Sequence, residues 1–416
     1  MINTKSYYPW LLVGLLCVVG ALNYLDRMII ATMRFSIVEA IPMTDAQFGL
    51  LSSVFLWVYG FSSPIAGFLA DKFSRAKVII GSLFVWSLVT WMTSLATTYE
   101  ELLLTRALMG ISEAFYIPAA LALIVEYHTG KTKSTATGLH IGGIYVGQSL
   151  GFIGAWLAET HNWNYAFSVF GIIGIAYSVV LVFLIKDKPK EPVLAAAEFD
   201  TSFNQGEVKV EQFGFKVGVK TLFKNRLYRM ALIVWGLSGA ISWMINGWLP
   251  TYYKEQFNLS QTEAGIYSTA YFFPAMLAGV VAGGAIADWW YRKNKQARIL
   301  LPAIGFILAV PGVFLASYTP LIGLTVLGFT IFAFVRPFLD ANMMPILDMI
   351  LDKRYLATGY GILNLCSCVI GGLGIYFAGL LRDGNVDLSL IFQVAALTMI
   401  ICAFFLYCML PKRGSA

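Results

Sequence analysis

The chain has 416 residues, of which 58% are hydrophobic and only 12% charged, with a mean hydropathy of +0.72. A soluble domain carries about 25% charged residues, so water is excluded as the solvent for most of this surface. The net charge of +6 would suggest nucleic acid as a partner in a soluble protein; here the basic residues have a simpler use in setting topology.

A spanning helix with its loop takes roughly 30–35 residues, which leaves room for about a dozen. In chain order, the N-terminal MINTKSYYPW lacks the small-residue cleavage site of a signal peptide and is expected to be retained. Apolar segments long enough to span follow at about 9–33, 46–70, 76–97, 102–125, 135–157 and 164–185. A polar stretch, roughly 186–227, then reads as a linker whose end, 213–223, is amphipathic enough for a short interfacial helix. A second set of spans falls at about 228–251, 263–287, 298–317, 320–346, 357–380 and 388–410. The predicted fold is an all-α membrane protein of twelve transmembrane helices. Residues 1–187 form one six-helix bundle, 188–226 a cytoplasmic linker, and 227–416 a second six-helix bundle.

Basic residues support this map. With the N-terminus cytoplasmic, the connections on that side hold Lys72, Arg75 and Lys77; Lys131 and Lys133; the basic linker; Arg292, Lys293, Lys295 and Arg298; Lys353 and Arg354; and Lys412 and Arg413. The opposite connections hold little beyond Lys254 and Arg382. That is the positive-inside asymmetry, and it puts both termini in the cytoplasm. The second span of each set ends in G-x-x-x-D, at Gly67–Asp71 and at Gly284–Asp288, each followed by basic residues. The recurrence implies duplicated bundles.

Three charge clusters sit inside the apolar segments: Asp26 with Arg27, Arg106 with Glu113, and Arg336 with Asp340. Ionisable groups in hydrocarbon are costly and mark pathways for polar solutes. Arg106 and Glu113 are seven residues apart, so they share one helix face. Burial disfavours an ionised carboxylate, which makes Asp26 and Glu113 candidate proton carriers. Arg27 keeps its charge and can grip a carboxylate with two hydrogen bonds, so it is the candidate hook for an anion. Without substrate it could pair with a carboxylate whose protonation would then free it. A structural alternative stands beside each: Asp26 could lock helices by pairing with Arg27 or Arg106, and Arg106 could serve as an electrostatic partner. Arg336 and Asp340 are spaced to pair on one helix face, either facing substrate or neutralising each other, and Pro337 between them allows a bend.

The sequence GFLADKFSRAK at 67–77 resembles the loop signature between helices 2 and 3 of the major facilitator superfamily, with Ser74 where glycine is preferred. The resemblance implies a cytoplasmic charge latch at Asp71, with Arg75 and the repeat's Asp288 as partners in gating. NYLDR at 23–27, GISEAFYIP at 110–118 and WLPTY at 248–252, leaving span 7, resemble the anion:cation symporter family. That family carries sugar acids and other organic anions. The first two elements are also similar to Spinster-type lipid transporters. The organic-anion resemblance implies that Tyr59, Gln148 and Asn364 contact substrate hydroxyls and carboxylates, although each could instead bond helix to helix. Asn246 and Trp243 are further candidates.

The expected function is proton-coupled symport of a small organic anion, a hexuronate or aldonate, by alternating access in the inner membrane. Competing expectations are a transporter of amphipathic lipids and a non-transporting membrane receptor. Sodium could replace the proton. No nucleophile–base set, Walker motif or cofactor motif is evident, so no enzyme and no cofactor are expected, and a monomer without nucleic-acid partners is. Cys17, Cys366, Cys368, Cys402 and Cys408 read as buried free thiols, and His128, His140 and His161 are too scattered to suggest a metal site.

Overall fold

The computed structural model describes residues 4–128, 132–188 and 215–410. Twelve helices in it are long and apolar enough to cross a membrane. Spans 1 to 6 are Tyr7–Thr32, Asp45–Ala70, Arg75–Thr93, Tyr99–Tyr127, Lys133–Thr160 and Trp163–Leu184. Spans 7 to 12 are Arg226–Phe257, Gln261–Tyr291, Ala297–Tyr318, Ile322–Ile350, Thr358–Asp383 and Leu388–Cys408. The even count puts both ends of the chain on one face, called here the termini face. The chain is a multi-pass membrane protein of all-α fold.

Four spans are interrupted, three of them next to proline. Span 4 breaks between Glu113 and Tyr116, span 8 between Thr269 and Phe272, and span 10 between Val335 and Phe338. Pro118, Pro274 and Pro337 lie at or just beyond these breaks; each lacks the N–H that its i−4 carbonyl would accept and crowds that carbonyl. Span 5 breaks at 150–151, where a Cβ on Gly151 would meet Met28 Cβ at 2.9 Å. The breaks in spans 4 and 10 therefore fall at Glu113 and Arg336, two of the charged positions.

Small residues bring the spans together, the usual means in a lipid solvent. A Cβ on Gly147 would lie 2.1 Å from the Ala21 carbonyl oxygen, and one on Gly279 would lie 2.0 Å from that of Phe334. Span 2 packs on span 11 across the bundle boundary, where Ser53 donates to the Gly372 carbonyl at 2.6 Å and Trp57 Nε1 to that of Val369 at 3.0 Å.

The face opposite the termini is sealed twice, in a pattern that follows the internal repeat. Asp383, ending span 11, accepts from the amides of Asp45 (2.8 Å) and Ala46 (3.0 Å) in the first turn of span 2. Glu159, ending span 5, accepts from the first-turn amides of Gln261 and Thr262 in span 8, the latter at 3.1 Å. Carboxylates are favoured at such positions by the free amides and the helix dipole. Spans 2 and 8 also carry matching capping boxes, Thr44 with Gln47 and Ser260 with Glu263. Arg34 pairs with Asp45, and Arg382 bridges Asp45 (2.9 Å) and Glu255 (2.8 Å). Toward the termini face a Cβ on Gly67, Gly138, Gly284 or Gly361 would meet nothing within 4 Å. The bundles are thus tied together at the face opposite the termini.

Three expectations change. WLPTY does not leave span 7: the helix runs through Pro250 to Phe257. Trp248 and Tyr252 are fully buried there and donate to the carbonyls of Ile375 (3.1 Å) and Ala316 (2.9 Å), so packing outweighs the one hydrogen bond that proline removes. Cys17, Cys366 and Cys408 are half-buried, because they lie on helix sides not fully covered by protein. The interfacial helix begins at Phe215 and ends at Lys224, with Leu222 buried and Gly218 against the Tyr355 ring; the rest of the linker, 189–214, lies outside the described residues.

Candidate functional site

Two adjoining cavities lie between the bundles. The first, a narrow space of about 20 Å³, is lined by Arg27, Arg106 and Phe55 from the first bundle and by Trp243, Asn246 and Ile375 from the second. The second, about 330 Å³, is lined by Tyr24, Tyr145 and Gln148 on one side and by Ser242, Arg336 and Asp340 on the other. Trp243 and Asn246 line both, so the cavities share a wall on span 7.

In the first cavity, Arg27 Nε donates to Glu113 Oε2 at 2.8 Å, with both side chains nearly inaccessible. Its Nη2 donates to Asn23 Oδ1 at 3.1 Å. The Arg27 guanidinium also faces three aromatic rings, Tyr24 at 4.3 Å, Tyr59 at 4.5 Å and Phe55 at 5.0 Å, which supply cation–π attraction where water is absent. Tyr59 therefore acts here as a stacking ring on the cation. Glu113 Oε1 and Asn23 Nδ2 remain buried without a hydrogen-bond partner. The expected pairing of Arg27 with a carboxylate is present, and Glu113 supplies it.

Arg106 differs. It is 1% exposed and makes no ion pair within 4.0 Å among the described residues. Its Nη1 contacts Met109 Sδ at 3.1 Å, and its Nε has no partner. Its guanidinium lies 5.2 Å from the Phe55 ring, so that ring faces both arginines. Asp26 is paired with neither arginine: its Oδ2 accepts from Thr90 Oγ1 of span 3 at 3.2 Å, which removes the helix-locking ion pair considered for it. Helix periodicity put Arg106 and Glu113 on one buried face as expected, but two turns separate them and Arg27 reaches Glu113 first.

In the second cavity, Arg336 and Asp340 pair, and Arg336 Nε donates to Ser238 Oγ of span 7 at 3.2 Å. Gln148, 6% exposed, lines the same space. Asn364 is half-buried on span 11 and lines neither cavity. At the termini face Asp288 pairs with Arg298 at 3.2 Å and Arg75 pairs with Glu126. Both contacts stay within one bundle; the Asp71 side chain lies outside the described ones.

The sequence pattern passed over Tyr24, Phe55, Tyr145, His140 and Ser242. The residues at 238, 242 and 246 recur every four positions, a polar stripe on an apolar helix that could have flagged Ser242. His140 looked scattered along the chain, yet it is buried, lines the second cavity and has no hydrogen bond on either ring nitrogen.

The family model described as Major Facilitator Superfamily matches residues 16–375. The chain belongs to the Major Facilitator Superfamily. It is a transporter and not an enzyme. Among curated relatives, the probable galactarate/D-glucarate transporter GarP of Escherichia coli K12 is 25% identical over 379 residues, covering 86% of this chain and 84% of that one. The probable sulfoacetate transporter SauU of Cupriavidus necator is 24% identical, covering 93% and 91%. The protein spinster of Drosophila melanogaster is 28% identical, covering 73% of this chain and 49% of its own. Among solved structures, a bacterial homolog of the human lysosomal transporter Spinster, inward-facing and occupied, superposes with a TM-score of 0.78. It is 18% identical over 97% of each chain, which supports the fold.

Proposed function

We propose that this transporter is a proton-coupled symporter of a small organic anion of the sugar-acid class, working in the inner membrane with both termini cytoplasmic. The observation that carries this is Arg106: a buried guanidinium lining the cavity, with no ion pair within 4.0 Å among the described residues, beside an Arg27 already held by Glu113. A buried charge without a partner costs several kcal/mol, so the site favours an anion entering it. The compounds in the names of the two bacterial relatives, galactarate, D-glucarate and sulfoacetate, are organic anions, which supports the same class.

In the empty carrier, Glu113 occupies Arg27. Protonating Glu113 removes its charge and frees the guanidinium for a substrate carboxylate, which it can hold with two parallel hydrogen bonds. Asp26, buried beside Thr90, is the second proton carrier. Gln148 and Asn246 offer amide groups to hydroxyls. Substrate and protons then leave together when the bundles rock, because ligand and proton each bias the same equilibrium.

The test is uptake into proteoliposomes under an imposed pH gradient, with sugar acids, neutral sugars and lysolipids offered in parallel. Acids are expected to accumulate and neutral sugars not; accumulation of a neutral sugar with no acid moved overturns the proposal. A second reading, transport of an amphipathic lipid, has one observation in its favour. Ile117, Leu121, Ile141, Ile144 and Met276 line the second cavity, an apolar wall that could take an acyl chain. Uptake of lysolipid in place of acids would support it.

A further inference from the structure

The geometry points to a dianionic substrate: an organic diacid that spans the two bundles, with one acid group at Arg27 and Arg106 and the other at Arg336. The inference rests on the proposed anion transport and narrows its substrate class.

Each bundle presents one cavity-lining arginine held by a carboxylate of its own half, Arg27 by Glu113 and Arg336 by Asp340. One member of each pair sits at an equivalent place, since Glu113 ends the first helix of broken span 4 and Arg336 caps the first helix of broken span 10. A monoacid would use only the first pair and leave Arg336 to its own carboxylate. A diacid can displace both internal carboxylates and so tie the bundles together.

Span 7 supplies a ruler between the two ends. Ser238 holds Arg336, Ser242 lines the second cavity, and Asn246 lines both. These positions are successive on one helix face, and the eight residues from 238 to 246 rise roughly 12 Å. A diacid whose chain runs along these positions would join the two cationic ends. Ser242, 7% exposed, has an unpartnered hydroxyl, and the Asn246 carbonyl oxygen is likewise unpaired. With Gln148 they put polar groups beside the middle of such a chain, where hydroxyls would lie. The buried, unpartnered groups are therefore aimed at the space between the two cationic ends.

The experiment is competition and uptake in proteoliposomes with a six-carbon aldarate, the matching aldonate and hexuronate, and the neutral alditol. The aldarate is expected to compete about tenfold better than either monoacid, because a site built to pair a second acid rejects analogues lacking it. In Arg336→Gln the diacid-to-monoacid preference should collapse about tenfold, and Arg336→Lys should restore part of it. Asp340→Asn, which removes the internal competitor, should raise apparent affinity for the diacid. Equal handling of mono- and diacid by the wild type overturns the inference while leaving the anion proposal standing. So does a fall in diacid affinity in Asp340→Asn. If no acid of either kind is moved, the underlying proposal fails as well.

Discussion

Arg382 Nε lies 2.9 Å from Asp45 Oδ2, which ties the end of span 11 in one bundle to the start of span 2 in the other. Arg382 also reaches Glu255, and Asp45 also accepts Arg34, so one carboxylate is shared by two guanidinium groups at the sealed face. Arg382→Gln should weaken this seal by on the order of 1 kcal/mol, since the network is partly exposed. That corresponds to about a fivefold shift toward the state open on this face. The measurement is labelling of Ser52→Cys, a position lining the first cavity, by a membrane-impermeant thiol reagent in a background without native thiols. An unchanged labelling rate would show that the charges do not hold the face shut.

Glu113→Gln keeps the shape of the Arg27 partner and removes its charge. Accumulation driven by a pH gradient should be lost, while exchange of labelled for unlabelled substrate across the membrane survives, because exchange needs no net proton movement. Retained accumulation would exclude Glu113 as a proton carrier. Arg27→Gln should lower both activities by about a hundredfold, the loss expected when a buried charged hydrogen-bonding partner is withdrawn.

Gly147→Ala forces a methyl group against the Ala21 carbonyl at 2.1 Å, so spans 1 and 5 must part. A loss of about 2 kcal/mol is expected, read as a lower melting temperature in detergent. Gly14→Ala has nothing within 4 Å of the new methyl and should match or slightly exceed the wild type. Equal stability of the two variants would contradict the packing described between spans 1 and 5.

Asp288→Asn breaks the contact with Arg298 at the termini face. Asp288 is 73% exposed at its side chain, and exposed pairs contribute about 0–1 kcal/mol. The melting temperature should stay close to wild type; a large drop would mean that this carboxylate carries more than a surface pair.

The twelve spans were legible because apolar length and the placement of lysine and arginine are one-dimensional signals. The duplicated bundles were legible because Gly67–Asp71 and Gly284–Asp288 stand in register. Pairing was less so. Periodicity put Arg106 and Glu113 on one face, but only the approach of span 1 to span 4 decides that Glu113 goes to Arg27 and leaves Arg106 without an ion pair among the described residues. Likewise Asp26 neighbours Arg27 in sequence, yet successive residues on a helix point in different directions, and it faces Thr90 instead. Asn364 looked equivalent to Gln148 as a lone amide in an apolar helix; which way each helix is rotated separates them. The sealing pair Arg34 and Asp45 sat at span ends, where charge is ordinary and signals nothing.

Glu159 and Asp383 leave a further mark on how this carrier moves. Each holds two backbone amides of the opposite bundle, and two of those four donors belong to the buried residues Ala46 and Gln261. Both carboxylates stand at the wet rim of the molecule, Glu159 and Asp383 being exposed, so water is at hand to take over each amide as its carboxylate withdraws. Parting the two seams therefore exchanges protein hydrogen bonds for water ones, a trade of small net cost, and what holds this face shut is left to the ion pairs and apolar packing behind them.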